Sequence, residues 1–223
     1  GCYHPVPPDR SGTMIPIEVL LAFLAASALI TIAPGPDNLM VLSVGISRGR
    51  TAGIGFGLGC ALGCFVHTLW ATLGIGAVVL ASEETFTTLK MAGAAYLVYI
   101  GIQAWLHAGK MAMIQLDPAA AEPLSVHLRR GFIANVVNPK VALFFIAFLP
   151  QFADPTRGAV WPQLLLLGAL FAALTVAIFG TLGWFAGSVG ARLQQKPVLA
   201  VWLDRCAGAI FFLLALHLAT SSR

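Results

Sequence analysis

Apolar residues run in long blocks along this chain, and polar residues gather in short intervals between them. Six blocks of roughly 20 residues or more lie at about 17–47, 51–81, 86–106, 129–148, 162–188 and 198–218. A helix needs about 20 apolar residues, at ~1.5 Å each, to cross ~30 Å of hydrocarbon. The blocks therefore predict an all-α integral membrane protein with six transmembrane helices, rather than the short alternating strands of a barrel. Two blocks are interrupted. Pro34-Gly35-Pro36-Asp37-Asn38 falls inside the first, and Asn138-Pro139-Lys140 inside the fourth. Proline removes a backbone donor and clashes with the preceding turn, and glycine lowers helix propensity further. The first and fourth helices are predicted to break there. In hydrocarbon a break survives only where protein or a water-filled cavity satisfies the freed backbone groups. An ionisable residue at that depth marks a functional site by default, which singles out Asp37 and Lys140.

The blocks also divide into halves, about 17–107 and 129–220, within one membrane domain spanning 14–223. Each half opens with a broken helix and continues with a glycine-rich one. Three crossings per half is an odd number, so equivalent halves must run in opposite senses. Two inverted three-helix repeats with breaks at matching positions point to a transport site near the midplane. In the second block Gly55, Gly59 and Gly63 recur every fourth residue, and Gly53, Gly57 and Ala61 form a second stripe beside them. Small residues at that spacing let helix backbones approach closely. This helix is expected to have neighbours on both sides.

Composition strengthens the membrane reading. The 223 residues are 58% hydrophobic and only 10% charged, against about 25% charged in a soluble domain. A net charge of +4 offers no support for nucleic-acid binding. Its placement is more informative. Arg48 and Arg50, then Lys110, Arg129 and Arg130, then Arg192 and Lys196 fall in alternate intervals, whereas Glu83 and Glu84 fall between them. Basic intervals stay in the cytoplasm, so both termini are expected on the outer side of the membrane. Residues 1–13 form a polar, proline-containing segment without a signal-peptide pattern. Met14 is expected to be the natural start. Of the four cysteines, Cys60 and Cys64 stand one turn apart in an apolar run. They are read as packing residues, with a redox or metal pair as the weaker alternative.

The motif Pro34-Gly35-Pro36-Asp37-Asn38, the following Ser47-Arg48-Gly49, the glycine-rich second block with His67, and Gly131-Phe132, Asn135 and Asn138-Pro139-Lys140 resemble the LysE/RhtB amino-acid exporters. The resemblance covers about 17–218. It implies export of amino acids or close derivatives. There is no Gly-x4-Gly-Lys-[Ser/Thr] motif for ATP, so drive by the proton-motive force is what the resemblance suggests. No cofactor and no metal set is expected. The partners expected are an amino-acid substrate and the lipid bilayer, with room for a homo-oligomer.

Two readings compete at each candidate residue. Asp37 and Lys140 either hold the ammonium and carboxylate of a zwitterion or pair with each other. Asn38, Asn135 and Asn138 either bind substrate or cap backbone groups freed by the prolines. His67, with an ordinary pKa near ~6.5, is either a proton carrier or a hydrogen-bonded packing residue. Asp204-Arg205 reads as an interfacial pair. Two other functions are weighed. An ion or metal transporter would want several carboxylates or histidines in the spans. A membrane thiol–disulfide electron carrier would want cysteines at the breaks. The chain places neither there.

Overall fold

The computed structural model describes residues 15–81, 83–109 and 122–220. The polar segment 1–13, Met14 and Lys110 lie outside the described residues. Among those described, the regular structure is entirely helical. The helices are α1 (Ile17–Ile32), α2 (Pro36–Arg48), α3 (Arg50–Ala81), α4 (Glu83–Leu106), α5 (Leu124–Val136), α6 (Pro139–Leu143), α7 (Val160–Trp184), α8 (Ala186–Gln195) and α9 (Pro197–Thr220). A π-helical turn at Phe144–Phe148 and a 3₁₀ turn at Leu149–Phe152 extend α6.

Three of these helices are long and apolar enough to cross a membrane: α3, α7 and α9. The proline motifs produce the expected breaks. The chain bends by 57° between α1 and α2, and by 52° between α5 and the Pro139–Phe152 segment. Counting each bent pair as one span raises the number to five. The block at 86–106 forms α4, which falls outside that set, so six crossings are not shown.

Three boundaries differ from the expected ones. The helix α5 starts at Leu124 rather than 129, so Arg129 and Arg130 lie inside it. The fifth block ends at Trp184, and Arg192 then sits on the separate short helix α8 instead of in a loop. The basic interval at 47–50 shrinks to Gly49 alone, between α2 and α3. Its φ of 87° is positive, a backbone region glycine enters without the steric cost a side chain would bring.

Glycine sets the interhelical distances around α3. Gly55, Gly59 and Gly63 all face α5, where they meet Leu124, the Leu128 carbonyl and Asn135. Gly131 returns the contact against the Phe56 carbonyl. Gly53 and Gly57 face α7 at Gly183 and Phe179, and Gly53 also meets α2 at Gly45. The helix α3 is thus clamped on two sides with almost no side chain between backbones, and α4 packs against α9. An aromatic cluster of Phe23, Phe144, Phe145, Phe148 and Phe171 fills the core beside the π-helical turn.

One end of the bundle is basic. Arg130 grips Glu122 with Nη1 at 2.6 Å and Nη2 at 3.1 Å, and Arg48 donates to the same carboxylate. The Arg130 hydrogen bonds, helped by nearby positive charge, hold the Glu122 carboxyl below its usual range. This cluster ties the end of α2 to the start of α5.

A Cβ placed on Gly131 would fall on the Phe56 carbonyl, whereas one on Gly180 would meet nothing within 4 Å. Gly131→Ala should therefore push α3 and α5 apart and lower membrane abundance several-fold. Gly180→Ala should leave it unchanged or raise it, since alanine gains about 0.5–1 kcal/mol over glycine in a helix. Immunoblots of membranes and unfolding in detergent compare the two. Equal behaviour of both variants would refute the clamp.

Candidate functional site

The break after α1 leaves a defined debt of hydrogen bonds. The last turn closes when Ala33 N–H donates to Leu29 O at 2.9 Å. The next four carbonyls, of Ile30, Thr31, Ile32 and Ala33, are the orphans that any helix end exposes. Pro34 and Pro36 have no N–H to give to Ile30 and Ile32, and the bend carries Gly35 and Asp37 out of line. Two side chains supply all four donors. Lys140 Nζ donates to Ile30 O at 3.0 Å and to Ala33 O at 2.9 Å. Asn38 Nδ2 donates to Thr31 O at 2.9 Å and to Ile32 O at 3.4 Å. Lys140 reaches these carbonyls by passing over Gly35, where a Cβ would stand 2.8 Å from Nζ. Its cation also sits at the negative end of the α1 dipole.

The second break is tied differently. Pro139 cannot donate to Asn135 O, but that oxygen keeps a backbone donor, Asn138 N–H at 2.9 Å, and His67 Nε2 adds a further contact at 2.9 Å. A carbonyl only accepts, so Nε2 carries the proton. His67 is buried, with its ring edge-on to Trp70 at 5.4 Å and tilted against Phe145 at 5.7 Å. Its Nδ1 has no partner. Asn138 is the N-cap of α6 and accepts from Lys140 N–H at 3.0 Å. Asn135 then joins the breaks, because its Nδ2 donates to Asp37 Oδ2 at 2.8 Å. Asp37 lies in the first turn of α2, at the positive end of that dipole.

Asp37 and Lys140 are 3% and 8% exposed. No ion pair joins them; among the described residues the ion pairs are Arg48–Glu122, Arg130–Glu122 and Arg157–Asp154. Each charge is held by a helix end and by neutral partners. Both border one small cavity, together with Thr31, Cys64, Asn135 and Thr175. Its volume is about 20 Å³, room for about one water. Thr31 Oγ1 and Asp37 Oδ1 are buried without a partner. The site therefore offers one free carboxylate oxygen, one hydroxyl, and an ammonium resting on neutral carbonyls.

Other candidates fall elsewhere. Gly55 and Gly59 serve the α3–α5 contact away from the cavity, while Gly63 packs on the Asn135 side chain. Cys60 and Cys64 are buried free thiols, of which Cys64 does border the cavity beside Thr175, and Cys206 is exposed. Among the described residues no three of His, Cys, Asp and Glu converge as a metal set. Sequence reasoning missed Thr31 and Thr175, which read as ordinary residues of apolar blocks. It also misplaced Asp204. That carboxylate makes no ion pair with Arg205. It is buried and accepts from Gly109 N–H at 2.7 Å.

The two adjoining breaks with their charged residues can be set beside known proteins. The family model for LysE type translocators matches residues 28–222. The chain belongs to this family. A Vibrio cholerae protein named as an uncharacterized membrane protein is 32% identical over 92% of this chain and 98% of its own length. The homoserine/homoserine lactone efflux protein of Salmonella typhimurium is 27% identical over 92% of this chain and 97% of its own. The leucine efflux protein of Enterobacter sp. (strain 638) is 27% identical over 89% and 93%. No solved structure matches the chain. The chain is thus a membrane-embedded translocator, and family and relatives alike indicate a transporter rather than an enzyme.

Asn38→Leu would strip the donors from Thr31 O and Ile32 O. An unsatisfied buried carbonyl costs about 1–3 kcal/mol, so this variant should unfold in detergent at a clearly lower temperature than the wild type. Asn38→Gln, which keeps an amide donor, should recover part of the loss. Unfolding of Asn38→Leu at the wild-type temperature would show that the α1 carbonyls have other partners.

Proposed function

We propose that this LysE-type translocator is a secondary exporter of amino acids or close derivatives, with its substrate site between the two helix breaks. The observation that carries the reading is that Asp37 and Lys140, one from each break, border a single cavity without pairing. The names of the efflux relatives agree with it. The substrate's ammonium would go to Asp37 Oδ1 and Thr31 Oγ1. Its carboxylate would draw Lys140 away from Ile30 O and Ala33 O, because a charge-assisted bond to an anion is about twice as strong as one between neutral groups. The freed carbonyls then become further acceptors for the ammonium. A cavity that holds one water admits no amino acid, so the breaks as they stand are closed to substrate. Substrate enters only as the breaks move apart.

Drive by the proton-motive force follows from one group doing two tasks. Asp37 can hold an ammonium or a proton, but not both. A proton taken up from outside would displace the departing ammonium and be released inside, giving exchange of proton for substrate. His67 is a second candidate acceptor through its unpartnered Nδ1. The bond from Asp37 to Asn135 ends on the side-chain amide, and the bond from His67 ends on the main-chain carbonyl. It is no continuous proton path, so any influence between the two would be electrostatic.

We further infer six crossings in two inverted repeats within the inner membrane, with α4 as the third crossing. At ~1.5 Å per residue, its 24 residues suffice. The similar bends, 57° and 52°, and the pairing of α3 with α7 and α4 with α9 support matched halves. The end carrying Arg48, Arg50, Arg130 and Arg192 would face the cytoplasm, leaving both termini outside. A cysteine at Ser47 should resist impermeant thiol reagents in intact cells and react in inside-out vesicles. Labelling from outside would reverse the orientation.

The site itself is tested by efflux from cells loaded with leucine- and homoserine-containing dipeptides. Asp37→Asn should remain in the membrane and lose export, because Lys140 keeps its carbonyl partners. Lys140→Gln, which retains a donor for those carbonyls, should also lose export. The double variant should stay inactive, since both substrate anchors are gone. A lone buried charge costs about 2.5–3.5 kcal/mol on insertion scales. If the two residues served only to balance each other, the double variant would regain abundance and efflux. That recovery would refute the site.

A further inference from the structure

On the other side of the breaks lies a larger space. A cleft of about 410 Å³ is bordered by Gly35, Asn138 and Lys140 at the breaks, by Tyr96 and Gln103 on α4, and by Asp204 on α9. Small-molecule sites commonly span about 300–1,000 Å³. Three of its features are unexplained by packing. Asp204 is only 6% exposed, and Gly109 N–H, on its Oδ2, is a neutral partner. Among the described residues it makes no ion pair, and its neighbour Arg205 is exposed. Asn138 Nδ2 is buried without a partner. Lys140 borders this cleft and the inner cavity alike, whereas of these two spaces Asp37 borders the cavity and Asp204 the cleft. One cation therefore stands between two acids that face separate spaces.

We propose that the cleft is a loading site, where a zwitterionic amino acid binds before it reaches the cavity between the breaks. Asp204 takes the ammonium. Asn138 Nδ2 and Lys140 take the carboxylate, and the Tyr96–Phe211 wall accommodates the side chain. The substrate then passes inward with its carboxylate kept on Lys140 while its ammonium moves from Asp204 to Asp37. The inference rests on the exporter reading above, and it extends the route by one site. Asp204, Gln103 and His107 lie towards the same end as Gly109 and the basic residues, so the cleft would face the compartment from which substrate is loaded.

The test uses inside-out membrane vesicles with radiolabelled leucine and homoserine. The 2-hydroxy acid analogue of leucine, which lacks the ammonium, serves as competitor. Asp204→Asn retains an acceptor for Gly109 N–H and removes the charge. It should raise KM for the amino acid at least tenfold with Vmax within twofold, and competition by the hydroxy acid should be unchanged. A purely structural role would lower abundance or Vmax and leave KM alone. Asn138→Asp retains the cap on Lys140 N–H and removes the free donor, so it should also raise KM, and it provides a second reading where Asp204→Asn does not accumulate. Unchanged KM in whichever of the two variants accumulates overturns the loading site. If wild type transports, Asp37→Asn is inactive and Asp204→Asn matches wild type, the loading site alone fails. If wild type transports neither amino acid, the exporter reading fails and the loading site with it.

Discussion

A backbone carbonyl in hydrocarbon must find a donor, and this fold is arranged around the places where helix geometry withholds one. Water is absent from the bilayer core, and each orphaned group there costs several kcal/mol. The Pro34-Gly35-Pro36 motif leaves four orphans in one stroke, and Lys140 and Asn38 are the answers. At Pro139 the Asn135 carbonyl keeps Asn138 N–H and gains His67 Nε2. Their positions explain much else. Lys140 needs Gly35 to be small, His67 needs α3 close to the second break, and α3 comes close because Gly59 and Gly131 let backbones touch.

The same accounting explains how two charges are tolerated without an ion pair. Asp37 sits where the α2 dipole is positive, and Lys140 where the α1 dipole is negative. Each helix end is worth up to about 2 kcal/mol in partly buried settings, and bonds to charged groups add roughly 1.5–3 kcal/mol each. Those magnitudes match the insertion cost of a central charge, about 2.5–3.5 kcal/mol. The break thus compensates each residue separately. A direct pair would have locked the two side chains together and left nothing free for a third party.

The breaks, the all-helical class and the glycine stripes were legible because each rests on local chemistry: proline lacks a donor, and glycine recurs at helical spacing. What was not legible depends on contacts far apart in sequence. Nothing near His67 announces that it will serve a carbonyl at Asn135, 68 residues away. Asp204 beside Arg205 reads as an interfacial pair, yet the chain turns the acid inward to Gly109. Arg129 and Arg130 resembled the edge of a span, because two charges usually mark one. The helix instead begins at Leu124, and Arg130 folds back on Glu122. The break before α8 carries no proline, so hydropathy alone joined it to α7. The charged residues at the breaks could be picked out, but their partners could not.

The satisfaction of the breaks is also crossed, and that bears on how the protein can move. The donor for two of the α1 carbonyls comes from the second break, through Lys140. The second break is tied back to the first through Asn135 and Asp37. Any motion that opens space between the breaks must strip Ile30 O, Ala33 O or Asp37 of a partner. Opening an empty site therefore carries a penalty of several unsatisfied groups at about 1–3 kcal/mol each. An ion alone could replace only one kind of partner. A zwitterion brings three N–H donors at one end and two acceptor oxygens at the other, so it can serve the carbonyls and Asp37 while engaging Lys140. Under the proposed exporter reading, the hydrogen-bond accounting that closes the site would also make opening depend on cargo with both charges.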